Sequence, residues 1–299
     1  MLFTKLKPML LYMGKEIIED NDWEYQIKWD GWRILLHKEG DRIEAYTRTG
    51  NNITSKFPEL QDVCKSIKSY SAILDCEGVV LRNGYSKFKD FAYRGRLTNK
   101  AKIEEATKTH PVTFVAFDIL FANKPLIKEP LIERKKHLAA AVEPSNSIVI
   151  TPSVEREGNY LFQFTKENNM EGIVGKRLSS TYQINQRSYD WLKFKHFKLT
   201  NMIIIGYKEK PFTMLVGYYS ESGRIKAVAS VEFGFKTEEK QAFREISKGI
   251  IKKVEKGIYW LEPLLCCTIQ YLERTENGML RITSFKGFNF LIEPKSCLP

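Results

Sequence analysis

Up to about Lys198, short runs of alternating apolar and polar residues are mixed with stretches whose apolar positions recur at helical spacing. In "EYQIKWDGWR", residues 24–33, Tyr25, Ile27 and Trp29 share one face of an extended chain, while Gln26, Lys28 and Asp30 share the other. "YQIKW", "WRILLHK", "RIEAYT", "AILDCEGVVL", "VTFVAFDILF" and "GIVGKR" read as strands, being rich in aromatic or β-branched residues and bounded by Gly, Asp or Asn. "FPELQDVCKSIKSY", "SKFKDFAYRGRL", "LIERKKHLAAAV" and "EGNYLFQFTKENN" read as helices. Strands and helices without strict alternation predict an α+β domain with antiparallel sheets. Beyond Lys198 come "NMIIIGYKEK", "FTMLVGYYS", "RIKAVASVEFGF", one helical run "EEKQAFREISKGIIKKVEK", then "CCTIQYLERT" and "MLRITSF". Several strands and one helix in so short a segment suit a small β-barrel of the OB-fold type. The expected domains are 1–198 and 199–299, with no internal repeat and no low-complexity tract.

Composition sharpens this in two ways. A chain of 299 residues with 43% hydrophobic content can build two cores. Its 47 Lys and Arg against 36 Asp and Glu give a formal charge of +11, which draws polyanions, nucleic acid ahead of a membrane surface. Cys64, Cys76, Cys266, Cys267 and Cys297 show neither zinc-ligand nor paired disulfide spacing and read as free thiols in a reducing compartment. Lys5, Lys7 and Pro8 interrupt the apolar residues of "MLFTKLKPMLLYMGKE", so neither export nor a membrane span is expected and the location read is cytoplasmic.

Lys28 stands in K-W-D-G-W-R, where Asp30-Gly31 can turn the chain and bring Arg33 alongside. A free lysine titrates at about 10.4 and is a poor nucleophile at neutral pH, but neighbouring cations and partial desolvation lower that value. Arg48 in "YTRTGN" and Lys193 and Lys195 in "WLKFKHFK" are candidates for such cations. Taken alone, K-x-D-G is equally consistent with a solvated lysine on an edge strand.

Six such segments run in a fixed order, and with them the chain resembles the covalent nucleotidyltransferases, specifically the ATP-dependent DNA ligases, over about residues 8 to 290. "KWDGWR" resembles their nucleophile motif, "YTRTGN" the arginine element after it, "ILDCEGVV" the third motif, "FVAFDILF" the adenine-stacking strand, "EGIVGKR" the fourth motif and "WLKFK" the fifth. The resemblance implies a nucleotidyltransferase (adenylation) domain followed by an OB-fold domain. It implies that Lys28 attacks the α-phosphate of ATP, expels pyrophosphate and carries AMP to a DNA 5′-phosphate, which an adjacent 3′-hydroxyl then attacks to seal the strand. Glu77 and Glu171 would hold Mg²⁺ or Mn²⁺, with Glu77 also in the nucleotide site, because hard carboxylate oxygens suit an ion that bridges phosphates. Phe117 would stack on adenine. Arg33 and Arg48 would contact sugar, phosphate or the DNA 5′-phosphate, and Lys193 and Lys195 the α-phosphate. Gln26 stands where these ligases often carry glutamate, so adenine contact from Gln26 and Ile27 is expected to lean on backbone.

The segments "NMIIIGYKEK", "MLVGYYSESGRI" and "GMLRITSFKGF" are most similar to the ligase module of bacterial non-homologous end-joining enzymes. The tail "FKGFNFLIEPK" departs from the R-x-D-K-type element of that module, which leaves Arg281 and Lys286 as the candidates for the β and γ phosphates. The implied substrate is nicked or broken double-stranded DNA in repair or recombination, worked on by a monomer, with end-joining proteins as partners. Three alternatives stay open: an RNA ligase, a GTP-dependent capping-type nucleotidyltransferase, and a non-catalytic protein that holds nucleic-acid ends.

Overall fold

Trp23, Tyr25 and Ile173 are buried together with Leu192 and Phe194, and they make the underside of a five-stranded sheet. A computed structural model describes residues 1–298. The sheet runs in the order Leu10–Met13, Arg187–Lys195, Gly172–Arg177, Trp23–Ile27, Ser153–Glu155. A second five-stranded sheet runs Arg42–Thr47, Trp32–Glu39, Ser71–Val79, Thr113–Ala122, Ile148–Ile150. Both are antiparallel except at one edge each, where Leu10–Met13 and Ile148–Ile150 pair in parallel. Those edge strands, and Ser153–Glu155, are too short to carry a readable alternation.

The second sheet alternates across most of its width, Ile34, Leu36, Leu74, Cys76, Phe114 and Ala116 filling one core, with a register shift in the Ser71–Val79/Thr113–Ala122 pair that brings Ile119 to the same side. The opposite face meets the first sheet through Ile73, Leu120, Tyr182 and Trp191. The cleft therefore has a face of each sheet as its walls. Helices Leu60–Ser66, Phe88–Arg96, Lys100–Thr109, Leu131–Ala141 and Gly158–Glu167 complete this unit. Lys100–Thr109 was not expected from its weak apolar pattern; Asn99 caps it by accepting from the Lys102 N–H at 3.1 Å.

The chain divides into compact units Met1–Lys195 and His196–Pro299, a few residues before the expected Lys198, because Arg187–Lys195 belongs to the first sheet and Lys198–Glu209 to the next. In the second unit Lys198–Glu209 pairs with Phe212–Tyr219 along one side and with Cys266–Tyr271 and Ile258–Leu261 along the other. The mixed α+β class is as read, but the barrel does not close as a ladder. Ile225–Val231, Ile251–Glu255 and Ser284–Phe288 end the hydrogen-bonded path, and single bonds such as Phe285 N–H to the Phe233 carbonyl, 2.9 Å, bring two of those ends together. The expected long helix is also corrected. It ends as Thr237–Lys248, and "IKKVE" forms the strand Ile251–Glu255, since Gly249 and the β-branched pair Ile250-Ile251 disfavour its continuation. Among the described residues no helix is long and apolar enough to cross a membrane.

Behind the cleft, Arg134 binds both oxygens of Asp118 at 2.8 Å, and neither side chain is exposed. Arg134→Ala leaves a buried charge without its partner and is expected to cost about 3–5 kcal/mol of unfolding free energy. Equilibrium unfolding in urea measures this, and a loss below about 1 kcal/mol, the range of an exposed pair, contradicts it.

Candidate active site

The Trp23–Ile27 strand is central, not an edge, and it stops one residue before Lys28. The Lys28 N–H still donates to the Gly172 carbonyl at 3.0 Å, so the backbone holds the residue where the chain leaves one sheet for the other. Gly31 permits that crossing, because a Cβ there would lie 2.0 Å from the Gly78 carbonyl oxygen. Asp30 anchors the turn: its N–H donates to Ser86 Oγ at 3.0 Å, and its carboxylate accepts from the Phe88 N–H, at the start of a helix, at 3.1 Å.

Strand register then sets the cleft face. Glu24 lies opposite Lys176, which lies opposite Trp191; Gln26 lies opposite Val174, which lies opposite Lys193; Gly172 lies opposite Lys195. The polar side of "EYQIKWDGWR" is thus covered, with Glu24 and Gln26 buried. Gln26, Ile27, Lys28, Arg33, Glu77 and Phe117 line one pocket open to solvent, together with Trp29, Thr151, Val174, Lys176 and Trp191. Of the other expected residues, Glu171 and Lys195 adjoin Lys28, and Lys193 follows on the same strand face. Arg48 is exposed in the turn after Arg42–Thr47 and does not line the pocket. Arg281 lies in the second unit, ion-paired with Glu273.

Lys28 Nζ donates to Glu171 Oε2 at 2.6 Å, and Lys195 Nζ binds the other oxygen of the same carboxylate. Gly172, next along, has φ of +142° and its Cβ would lie 1.9 Å from the Phe194 carbonyl oxygen, so E-G is a backbone requirement for placing Glu171. The expected depression of Lys28 is reversed here. Burial opposes its charge, but Glu171 and then Glu77 outweigh burial and hold the ammonium above its ordinary value. Lys193 shows the depression instead, through burial and the adjacent Lys195 and Lys28.

Glu77 makes no hydrogen bond among the described residues, and burial pushes its carboxyl up to about 8 despite Lys28 and Arg33. Arg33 binds Asp75 through Nε at 2.9 Å and Nη2 at 2.6 Å, and the Tyr182 hydroxyl donates to Asp75 at 2.6 Å. Of the lining residues that the sequence did not single out, Trp191 and Lys176 matter most. Lys176 is 1% exposed, donates to the Phe117 carbonyl at 3.0 Å, and sits 4.4 Å from the Phe117 and Trp191 ring centres. Burial pushes it down to about 8. Sharing the parity of Val174 rather than that of Ile173 puts Lys176 on the cleft face, but its burial comes from the sheet that covers that face.

Comparison with known proteins agrees with this geometry. Residues 8–195 match the family model "ATP dependent DNA ligase domain", and residues 209–289 match "ATP dependent DNA ligase C terminal region". The SPbeta prophage-derived DNA ligase-like protein LigB of Bacillus subtilis is 31% identical, covering 95% of this chain and 98% of that protein. The bifunctional non-homologous end joining protein LigD of the same organism is 31% identical over 92% of this chain, which spans only 48% of it. The crystallised ligase domain of Mycobacterium tuberculosis LigD shares the fold over the full length of both chains, with a TM-score of 0.59 at 24% identity.

Lys176 also sets a pH dependence. Below about pH 8 it is charged in folded and unfolded chains alike, so folding carries the whole penalty of burying it; as pH rises towards 10.5 only the unfolded chain still binds the proton, and the penalty fades. Lys176→Met is expected to stabilise the ligand-free protein at about pH 7, with an advantage over wild type that shrinks by about pH 10. Urea unfolding at both pH values tests this, and a gap that does not change with pH contradicts it.

Proposed function

The chain belongs to the ATP-dependent DNA ligases, a family whose activity is nick sealing, and from that premise we infer that Lys28 is the residue that carries AMP from ATP to a broken strand. The observation that supports this most is the placement of one amine at the edge of an aromatic-lined pocket, held by a carboxylate that a second lysine shares. In the first step the Lys28 nitrogen forms a bond to the α-phosphorus while the bond to pyrophosphate breaks. A DNA 5′-phosphate oxygen then takes the AMP, breaking the P–N bond, and the 3′-hydroxyl displaces AMP to close the strand. Each is an in-line displacement in which neutralising charge does most of the work.

The remaining roles follow from position. Phe117 and Trp191 offer flat apolar surface to a purine, with Gln26 and Ile27 beside them. Arg33, fixed by Asp75, keeps Nη1 without a hydrogen bond among the described residues and suits sugar or phosphate. Lys193 and Lys195 suit the α-phosphate, and Arg48 the DNA. Glu77 and Glu171 flank Lys28 with hard oxygen donors, and the raised Glu77 carboxyl is the mark of a carboxylate short of a cation. Mg²⁺ or Mn²⁺ held there would neutralise phosphate charge and draw Glu171 away from the amine. Before attack Lys28 must lose its proton, so the Glu171 contact that holds the ammonium in the resting site has to loosen.

The first unit is read as the adenylation domain and the second as the OB-fold domain, acting as a cytoplasmic monomer on nicked or broken duplexes, with end-joining proteins as partners. The charge of +11 supports a DNA substrate. Arg281 is assigned to the β and γ phosphates on resemblance alone.

Protein mixed with Mg²⁺ and ATP labelled in the α-phosphate is expected to retain one AMP, and to seal a nicked duplex; Lys28→Ala is expected to do neither. Wild-type sealing by that variant overturns the assignment. Arg281→Ala is expected to slow lysine adenylation by on the order of a hundredfold while sparing closure of a pre-adenylated nick, and equal loss in both assays removes its role.

A further inference from the structure

We propose that Glu24 and Lys135 are positioning residues that decide which end of the Gln26 amide, already placed beside the purine above, faces the pocket. This deepens the reading above and rests on it.

A glutamine amide has a donor end and an acceptor end of nearly equal shape, so the residue alone does not specify what it recognises. Here the surroundings do. Gln26 is 3% exposed, lines the pocket from the central strand, and donates from Nε2 to Glu24 Oε1 at 2.7 Å. A carboxylate only accepts, so turning the amide over would set oxygen against oxygen. Glu24 is itself fully buried, and its other oxygen is bound by Lys135, which reaches in from the Leu131–Ala141 helix and also donates to Ser153 Oγ at 2.7 Å. Ser153 is the register partner of Gln26, so Gln26, Glu24, Lys135 and Ser153 form a hydrogen-bonded chain that starts and ends on neighbouring strands and passes through the helix. Gln26 Oε1 makes no hydrogen bond among the described residues and is the end left for a ligand.

That arrangement explains why an amide stands at this position. A carboxylate at residue 26 would lie two residues from Glu24 on the same buried face, where two negative charges repel. Glutamine keeps an acceptor towards the pocket and turns the unfavourable neighbour into its anchor. An acceptor suits a purine with an amino group at C6, as in adenine. It opposes one with a carbonyl oxygen there, as in guanine or hypoxanthine.

The test compares rates of covalent labelling by ATP and by inosine triphosphate, which differ at C6 and in the proton on N1 and share the ribose and phosphates. Wild-type protein is expected to favour ATP. Glu24→Gln, whose amide can donate as well as accept, and Lys135→Met, which leaves Glu24 unpaired, are each expected to lower the ATP-to-ITP ratio by about tenfold, the value of one hydrogen bond. Lys135→Arg is expected to preserve the ratio. Because the ratio is internal, a partly unfolded preparation does not alter it. Loss of both labels in equal proportion, down to no labelling at all, overturns the relay while Lys28 chemistry stands in the wild type. No labelled wild-type protein with any triphosphate takes both readings down.

Discussion

Each oxygen of the Glu171 carboxylate is bound by a different ammonium, Lys28 on one side and Lys195 on the other. Lys193 shares the strand face of Lys195, and Lys176 lies two positions further along the neighbouring strand from Val174. Two like charges about 4 Å apart repel by about 4 kcal/mol at the screening typical of a protein. Such a group of lysines persists only around an anion, and Glu171 is the anion that touches two of them. Its placement in turn depends on backbone, because Gly172 packs against the Phe194 carbonyl where no side chain fits. A glycine that looks like a mere turn residue thus positions the carboxylate that holds the Lys28 ammonium.

The second sheet contributes the opposite half of the arrangement. Arg33 and Glu77 face each other across adjacent strands, and Asp75 takes up the Arg33 charge with help from Tyr182. Behind them the Asp118–Arg134 pair ties the Thr113–Ala122 strand, which carries Phe117, to the Leu131–Ala141 helix, which carries Lys135. Buried charge pairs of this sort add little net stability, but they are intolerant of displacement. The two walls of the pocket are therefore held in fixed register by groups that take no part in chemistry.

Much of this was legible where burial is one-sided. The strands Gly172–Arg177 and Arg42–Thr47 begin and end where the runs "GIVGKR" and "RIEAYT" do. The pattern failed where its cause was non-local. Lys28 was expected to be depressed by cations, yet its partner Glu171 lies 143 positions away and raises it instead. Lys176, next to Arg177 in "GKR", looks like a solvated end, and only the covering sheet makes it a buried cation. Glu24 and Lys135 carried no motif at all; their contact joins a strand to a helix more than a hundred residues on. At "GIIKKVEK" the apolar spacing fits either a helix or a strand, and the pairing of Ile251–Glu255 with Ile258–Leu261 decides it.

The ligand-free site is held away from its own electrostatic preference in both directions at once. Burial pushes Lys176 and Lys193 towards neutrality, Lys193 with help from Lys195 and Lys28, and burial likewise pushes Glu77 towards neutrality. An anion arriving alone would suit the lysines and raise Glu77 further. A cation arriving alone would suit Glu77 and depress the lysines further, Lys28 among them. A polyphosphate carrying a divalent ion supplies both signs in one event. Such a pair would also compete for Glu171, which with Glu77 holds the Lys28 ammonium above its ordinary value. On the role proposed above for Lys28, ligand binding and release of its amine from Glu171 would be one electrostatic exchange, the carboxylate that neutralised the lysines giving way to the ligand that replaces it.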